Sequence, residues 1–251
     1  MLIQNLQSSV WMAGLVGHLL LVMVLLVRGR VARFPLFTAL IIFYIVRTAT
    51  PQMPFTHTLQ PGTYMWLFWG FEIGDVILRA LVLGELLRLA FKGTEVPLAR
   101  VAAWSAVAVA LSVALAVLAG PMQRMLVWSI FAKGNLAVAI LSLLALVALI
   151  WTRGKTHLPW RSHIFAISSG LAFYALIFLS LQAMQLWGGS AANPHGEHAA
   201  FLRQWMQASA AVAYLAVVLY WVVSLWLDDG SARSAARGLR KPVAGAGPSA
   251  A

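Results

Sequence analysis

The sequence predicts an all-α integral membrane protein that folds as a seven-helix bundle. Of its 251 residues, 61% are hydrophobic and only 10% are charged, whereas soluble domains carry about 25% charged residues. Seven apolar stretches separated by short polar segments take up nearly the whole chain. They leave no room for a separate soluble catalytic or nucleic-acid-binding domain, so the function must lie in the bilayer or at its two surfaces.

These stretches define seven candidate membrane spans, because a bilayer core about 30 Å thick needs roughly 20 apolar residues in a helix. The spans form one domain over residues 1–229. From residue 230 to residue 251 the chain is basic and rich in Ala, Gly and Pro, which predicts a disordered cytoplasmic tail. The predicted spans lie near residues 8–27, 34–50, 64–90, 97–119, 122–151, 160–187 and 199–227.

The positions of the 18 Lys and Arg residues predict the orientation of the bundle. Thirteen lie beside the spans on one side, and only Arg124 and Arg203 lie on the other. Cytoplasmic loops carry the excess of basic residues, so we expect the N-terminus outside and the C-terminus in the cytoplasm. The predicted location is the inner membrane of a cell, with multiple spans. This asymmetry accounts for the net charge of +11 without a nucleic-acid partner, and the lipid bilayer is the expected partner.

Five of the charged residues in the predicted spans are candidates for a functional site, because a charge inside a span costs about 2.5–3.5 kcal/mol on insertion scales and usually marks function. Glu72, Asp75 and Arg79 follow the spacing i, i+3, i+7, which places them on one face of the third helix. Lys133 in the fifth span lies at the predicted depth of Asp75. Arg47 is close to the outer end of the second span, where it either reaches water or closes over Glu72.

These five residues comprise three cations and two anions, which leaves two interpretations open. They form either a buried ion network that fixes the helix register, or a polar cavity that accepts an anionic or polar ligand. We expect Asp75 to pair with Lys133, since both lie at the same predicted depth.

Further polar side chains favour the cavity, because the glutamines of spans six and seven are expected at the level of the same, outer leaflet. The inner halves of the spans are almost purely aliphatic. A polar outer half above an apolar inner half indicates a pocket open to the outside. The predicted ligand-binding residues are Arg47, Glu72, Asp75, Arg79, Lys133, Gln182, Gln185, Gln204 and Gln207.

Other polar or small residues in the spans are interpreted as structural. Glu85 and Arg88 point away from the charged face of the third helix and are expected to pair at the membrane surface. His18 is expected to be a hydrogen-bonded core histidine. Gly70 and Gly74 form a GxxxG pattern, which permits close helix contact and is assigned to packing within the chain.

Several kinds of chemistry are excluded by missing residues. The chain contains no cysteine, so thiolate chemistry and cysteine-ligated metals are absent. It also lacks HExxH, P-loop, GxGxxG and nucleophilic serine motifs. The last span has no lysine to carry retinal, as a microbial rhodopsin requires. We therefore predict no enzymatic activity, no metal site and no cofactor.

Two segments, FPLFTALIIFYIVRT and YMWLFWGFEIGDVILRALVLGELLRLAF, resemble those of small bacterial seven-helix inner-membrane proteins that are themselves uncharacterised. The resemblance covers mainly spans two and three. It implies the fold and the membrane, and it brings no activity or site residues.

The predicted function is that of a membrane sensor or ligand-binding protein. A small polar or anionic solute would enter from outside and shift the helix packing, and the cytoplasmic loops would present the change to a partner protein. One alternative is a proton- or ion-coupled small-solute transporter that uses Asp75 or Glu72 as the proton carrier. The sequence shows neither an inverted repeat nor a proline-broken helix at mid-depth, which such transporters often have. A structural subunit of a membrane complex is the other alternative.

Overall fold

The computed structural model of the chain describes residues 2–50, 60–92, 97–119, 126–156, 162–187 and 197–227. The predicted tail, residues 230–251, lies outside this set. The described residues form seven α-helices and no strand, which confirms the all-α prediction. The helices are α1 Leu2–Val27, α2 Pro35–Ala49, α3 Pro61–Phe91, α4 Leu98–Ala119, α5 Leu126–Thr156, α6 His163–Trp187 and α7 Glu197–Trp226.

Five of these helices contain segments long and apolar enough to cross a membrane. The helix α2 is apolar but has only 15 residues, a length of about 22 Å. The helix α3 has 31 residues and carries the charged face around Asp75. The membrane character of the protein is thus supported, while the count of seven spans and the orientation stay predictions. The five segments are Ser9–Val27, Ala99–Leu118, Ser129–Thr152, His163–Ala183 and Ala208–Trp226.

Six helices form a closed ring in which each packs against the next, in the order α1, α2, α3, α5, α6 and α7, with α7 returning to α1. The helix α4 packs outside this ring, against α5 and α3. We name the two ends of the ring by the predicted orientation. At the inner end α1, α3, α5 and α7 finish and α2 and α6 begin, and the outer end lies opposite.

The apolar core fills the inner half of the ring. At its centre the ring of Trp221 meets the ring of Phe37 edge to face at a centroid distance of 5.2 Å, and its Nε1 donates to the carbonyl oxygen of Ala166 at 3.2 Å. The buried indole therefore leaves no unpaired donor, which would be costly in an apolar core. Fully or almost fully buried residues of this core include Leu21, Leu25, Leu40, Ile41, Leu86, Leu149, Ile167 and Leu225.

Close helix approach depends on glycines at particular positions. A Cβ atom at Gly170 would lie 2.3 Å from Nε1 of Trp221, and one at Gly74 would lie 2.9 Å from the ring of Phe43. A Cβ at Gly70 would meet nothing within 4 Å. The GxxxG pattern thus serves contact within the chain, as expected, but only Gly74 takes part in it.

Glu85 does not pair with Arg88 in the described part of the chain, so the expected surface pair is wrong. Its two carboxylate oxygens instead accept the backbone N–H groups of Leu36 and Phe37, both at 3.1 Å. These belong to the first turn of α2, whose N–H groups have no partners within the helix. A carboxylate at a helix N-terminus also gains from the helix dipole, whereas an exposed ion pair is worth little.

The inner ends of several helices meet at Arg30, in the turn between α1 and α2. Its Nη1 lies 3.2 Å from Nδ1 of His163, at the start of α6. Its Nη2 donates to the carbonyl oxygen of Leu227, just beyond α7, at 2.8 Å. One guanidinium therefore connects the α1–α2 turn to α6 and α7.

Candidate functional site

Four of the predicted site residues come together in the outer half of the ring, in what we call the polar network. The network consists of charged side chains from α2 and α3 and one amide side chain from α5. Two arginines face two carboxylates, so its formal charge is zero. Its members are Arg47, Glu72, Asp75, Arg79 and Asn135.

Asp75 is the centre of the network and is buried. Its Oδ1 accepts the hydroxyl of Tyr44 at 2.7 Å. Its Oδ2 accepts Nη1 of Arg47 at 3.2 Å and also Nη2 of Arg79. Three donors from two helices thus compensate a carboxylate that would otherwise be very costly away from water.

Glu72 is held by fewer donors than Asp75. Its Oε1 accepts Nη2 of Arg47, and its Oε2 accepts Nδ2 of Asn135 at 3.2 Å. The side chain of Arg47 is 32% exposed, that of Glu72 14% and that of Asp75 9%. Exposure therefore decreases from a rim at Arg47 to a floor at Asp75. Of the two alternatives left open for Arg47, the structure shows contact with Glu72.

Asn135 connects Glu72 to Arg79, the arginine that binds Asp75. It is absent from the predicted site. Its Oδ1 accepts Nη2 of Arg79 at 2.5 Å, while its Nδ2 donates to Glu72 and to the carbonyl oxygen of Phe131. The signal for it in the sequence is weak, since a single amide in an apolar helix has many possible partners. Its position opposite α3 depends on how α5 is rotated against α3.

Lys133 does not join the network, although the sequence predicts the same depth for it as for Asp75. It lies two residues before Asn135, which places it about 200° away around α5. It is half-buried and makes no ion pair or hydrogen bond with the residues that the structure describes. The expected pairing with Asp75 is therefore not found. The oxygens of Asp75 bind Arg47, Arg79 and Tyr44 instead.

A group of aromatic side chains extends the network towards α1, α6 and α7. The ring of Tyr214 lies between those of Tyr44, at a centroid distance of 6.0 Å, and Tyr174, at 5.2 Å. Its hydroxyl lies 2.7 Å from Nε2 of the buried His18. His18 is thus a hydrogen-bonded core histidine, as predicted. The tyrosines are missing from the predicted site, because periodicity alone does not separate a ring in the site from one in the core.

The glutamines of the predicted site are placed less centrally. Gln182 is half-buried near the end of α6, and no hydrogen bond in the described part of the chain joins it to the polar network. The side chains of Gln185, Gln204 and Gln207 lie outside the described residues.

The network has more donors than acceptors. Nε of Arg79 is buried and has no hydrogen-bond partner among the described residues. All four carboxylate oxygens of Glu72 and Asp75, by contrast, accept at least one hydrogen bond. A buried N–H group without a partner is suited to bind a hydrogen-bond acceptor or an anion.

Comparison of the chain with protein-family models, with curated proteins and with solved structures gives no match. The geometry of the polar network is then the basis for assigning a function.

Proposed function

We propose that the protein is a membrane sensor that binds a small polar or anionic solute at the polar network, from the outer side of an inner membrane. The observation that carries this proposal is the gradient of exposure within one connected network. Arg47 at the rim is one-third exposed, whereas Asp75 and Arg79 below it are almost enclosed. A solute can thus reach one cation of the network without entering the apolar half of the ring.

The energetic cost of the network supports a functional role. Buried ion pairs are often no more stabilising than apolar side chains of the same volume, and charged residues within membrane helices are usually functional. If the charged residues served only to fix the register of the helices, apolar packing like that of the inner half could do the same. The buried Nε of Arg79, which has no partner among the described residues, supports a solute that accepts hydrogen bonds.

The contacts of the network supply a route by which binding could change the packing of the bundle. Arg47 and Tyr44 of α2 both bind Asp75 of α3, so a solute that binds Arg47 alters the contact between these helices. The ring of Tyr44 also packs against Tyr214 of α7 and against His18 of α1. A ligand shifts a conformational equilibrium only through such differential contacts. A cytoplasmic partner protein would then detect the change at the inner end.

The inner half of the ring favours sensing over transport. A transporter must expose its site to both sides in turn, and here a layer of buried aliphatic and aromatic side chains lies between the network and Arg30. Opening a path through this layer would require the core around Trp221 and Leu86 to separate.

A stability screen on the purified protein in detergent tests the proposal. A solute that binds only the folded state raises stability by RT ln(1 + L/Kd), where L is its free concentration, which is about 2.7 kcal/mol at 100 times Kd. We expect some small anionic or polar solute to raise the unfolding temperature in this way. The increment should be lost in Arg47→Gln and kept in Arg88→Gln, which removes an exposed cation at the inner end.

Flux measurements separate the alternatives. Proteoliposomes under a proton or solute gradient should show no uptake if the protein is a sensor. Gradient-driven uptake that Asp75→Asn abolishes would replace sensing by transport. A panel in which no solute stabilises the protein would leave a structural subunit as the better assignment.

A further inference from the structure

The two carboxylates of the polar network differ in how firmly they are held. Asp75 accepts three hydrogen bonds and lies on the floor of the site. Glu72 accepts two and lies next to the rim at Arg47. Any solute that reaches the network from the rim meets the contact between Arg47 and Glu72 first.

The donors that hold Glu72 have a specific arrangement. Nη2 of Arg47, on α2, binds one carboxylate oxygen, and Nδ2 of Asn135, on α5, binds the other at 3.2 Å. Two donors on different helices are thus spaced to fit the two oxygens of one planar carboxylate. A second carboxylate, carried by a solute, has the same shape and charge and satisfies the same donors.

We propose that the ligand of this site is a small monocarboxylate, and that Glu72 is a built-in competitor which the ligand displaces from Arg47 and Asn135. This inference rests on the proposed function, since it names the ligand class of the same site. In the bound state the solute carboxylate takes the two donors, and the Glu72 side chain turns towards the rim. Asp75 keeps Tyr44 and Arg79, so α2 and α3 stay connected.

The hydrogen bonding and charge of the site disfavour other ligand classes. A cation would be repelled by the guanidinium groups of Arg47 and Arg79, which already bind these two carboxylates. A dianion with tetrahedral geometry would place two negative charges where Glu72 supplies one. A monocarboxylate places one negative charge beside Arg47, as Glu72 does in the unbound protein, while the displaced Glu72 carboxylate is turned to the more exposed rim. This avoids the cost of an uncompensated buried ion.

Glu72→Gln tests the inference, because glutamine keeps the shape of the side chain and removes its charge. Propionate is the probe, propionamide is its neutral counterpart and inorganic phosphate is the tetrahedral anion. Affinities come from the dependence of the unfolding temperature on solute concentration. We expect Glu72→Gln to lower the Kd for propionate at least about tenfold, since a charge-assisted contact no longer competes. Propionamide should bind neither protein measurably.

Glu85→Gln is the matched control, because it makes the same change in another half-buried carboxylate of α3. It caps α2 at the inner end, so the Kd for propionate should equal that of the unchanged protein. If Glu72→Gln does not fold, Glu72→Asp shortens the competing side chain and should lower the Kd in the same direction by a smaller factor.

The outcomes separate this inference from the function on which it rests. Binding of phosphate or of a neutral solute that depends on Arg47, with no gain for propionate in Glu72→Gln, would overturn the monocarboxylate and leave ligand binding intact. Equal propionate affinity in the unchanged protein and in Glu72→Gln would refute the role of Glu72 as competitor. If none of the probes binds either protein, and no solute of the stability screen raises the unfolding temperature, both proposals fail.

Discussion

Replacing Asp75 by asparagine removes the central charge of the polar network and keeps the shape of the side chain. Asparagine can still accept the hydroxyl of Tyr44, so the main loss concerns the two arginines. Arg47 is one-third exposed and keeps Glu72. Arg79 is enclosed, with its side chain only 10% exposed, and keeps only the amide of Asn135. The change therefore leaves the buried guanidinium of Arg79 without an anionic partner.

The expected cost follows from that single stranded charge. Removing one partner of a buried ion pair typically costs about 3–5 kcal/mol, and nearly all of this should come from Arg79. The double variant Asp75→Asn with Arg79→Met removes the stranded charge and leaves the neutral pair of Arg47 and Glu72. We expect it to recover at least about 2 kcal/mol relative to the sum of the two single changes.

Lys133 provides the control for this cycle. It makes no contact with Asp75 in the described part of the chain, so Asp75→Asn and Lys133→Met should be additive within about 0.5 kcal/mol. The free energy of unfolding can be measured in mixed micelles titrated with a denaturing detergent and followed by far-ultraviolet circular dichroism. If the effects of Asp75→Asn and Arg79→Met were additive, or if those of Asp75→Asn and Lys133→Met were strongly coupled, the pairing described for the network would be wrong.

Three further changes test other contacts between helices by the same unfolding assay. Gly170→Ala forces a methyl group against a buried indole and should cost about 1–3 kcal/mol, whereas Gly70→Ala has open space and should be neutral or slightly stabilising; equal effects would contradict the close contact. Glu85→Ala leaves two N–H groups at the start of α2 without acceptors and should cost about 1–2 kcal/mol, so a neutral effect would argue against the cap. Tyr214→Phe removes the hydroxyl partner of buried His18 and should cost about 1–3 kcal/mol; an unchanged unfolding free energy would mean that this bond contributes nothing.

The polar network was predictable where its residues share one helix. The spacing of Glu72, Asp75 and Arg79 placed them on one face because an α-helix advances 100° per residue. Arg47 was a weaker prediction, since its position near the end of α2 allowed both an exposed and a paired conformation. The approach of its guanidinium to Glu72 is a contact between helices, and only the packing of α2 against α3 selects it.

Choosing partners across helices required the tertiary structure. Lys133 and Asn135 are two residues apart at nearly the same depth, and the rotation of α5 about its axis brings Asn135, not Lys133, to the network. Charge alone favoured the lysine. The first turn of α2 likewise binds Glu85 in preference to Arg88, because its backbone N–H groups have no acceptors within the helix while Arg88 is exposed.

The amino-acid sequence by itself determined the helical composition of this protein, its apolar character and the charged face of α3, because these depend on periodicity within single segments. The tertiary structure decided which side chains meet: Asn135 with both carboxylate systems, and Tyr214 with His18. Such contacts depend on the rotation and axial offset of one helix against another. Those quantities are set by packing between helices, as where Gly17 faces Val218 and Gly134 faces Val76, and no single segment contains them.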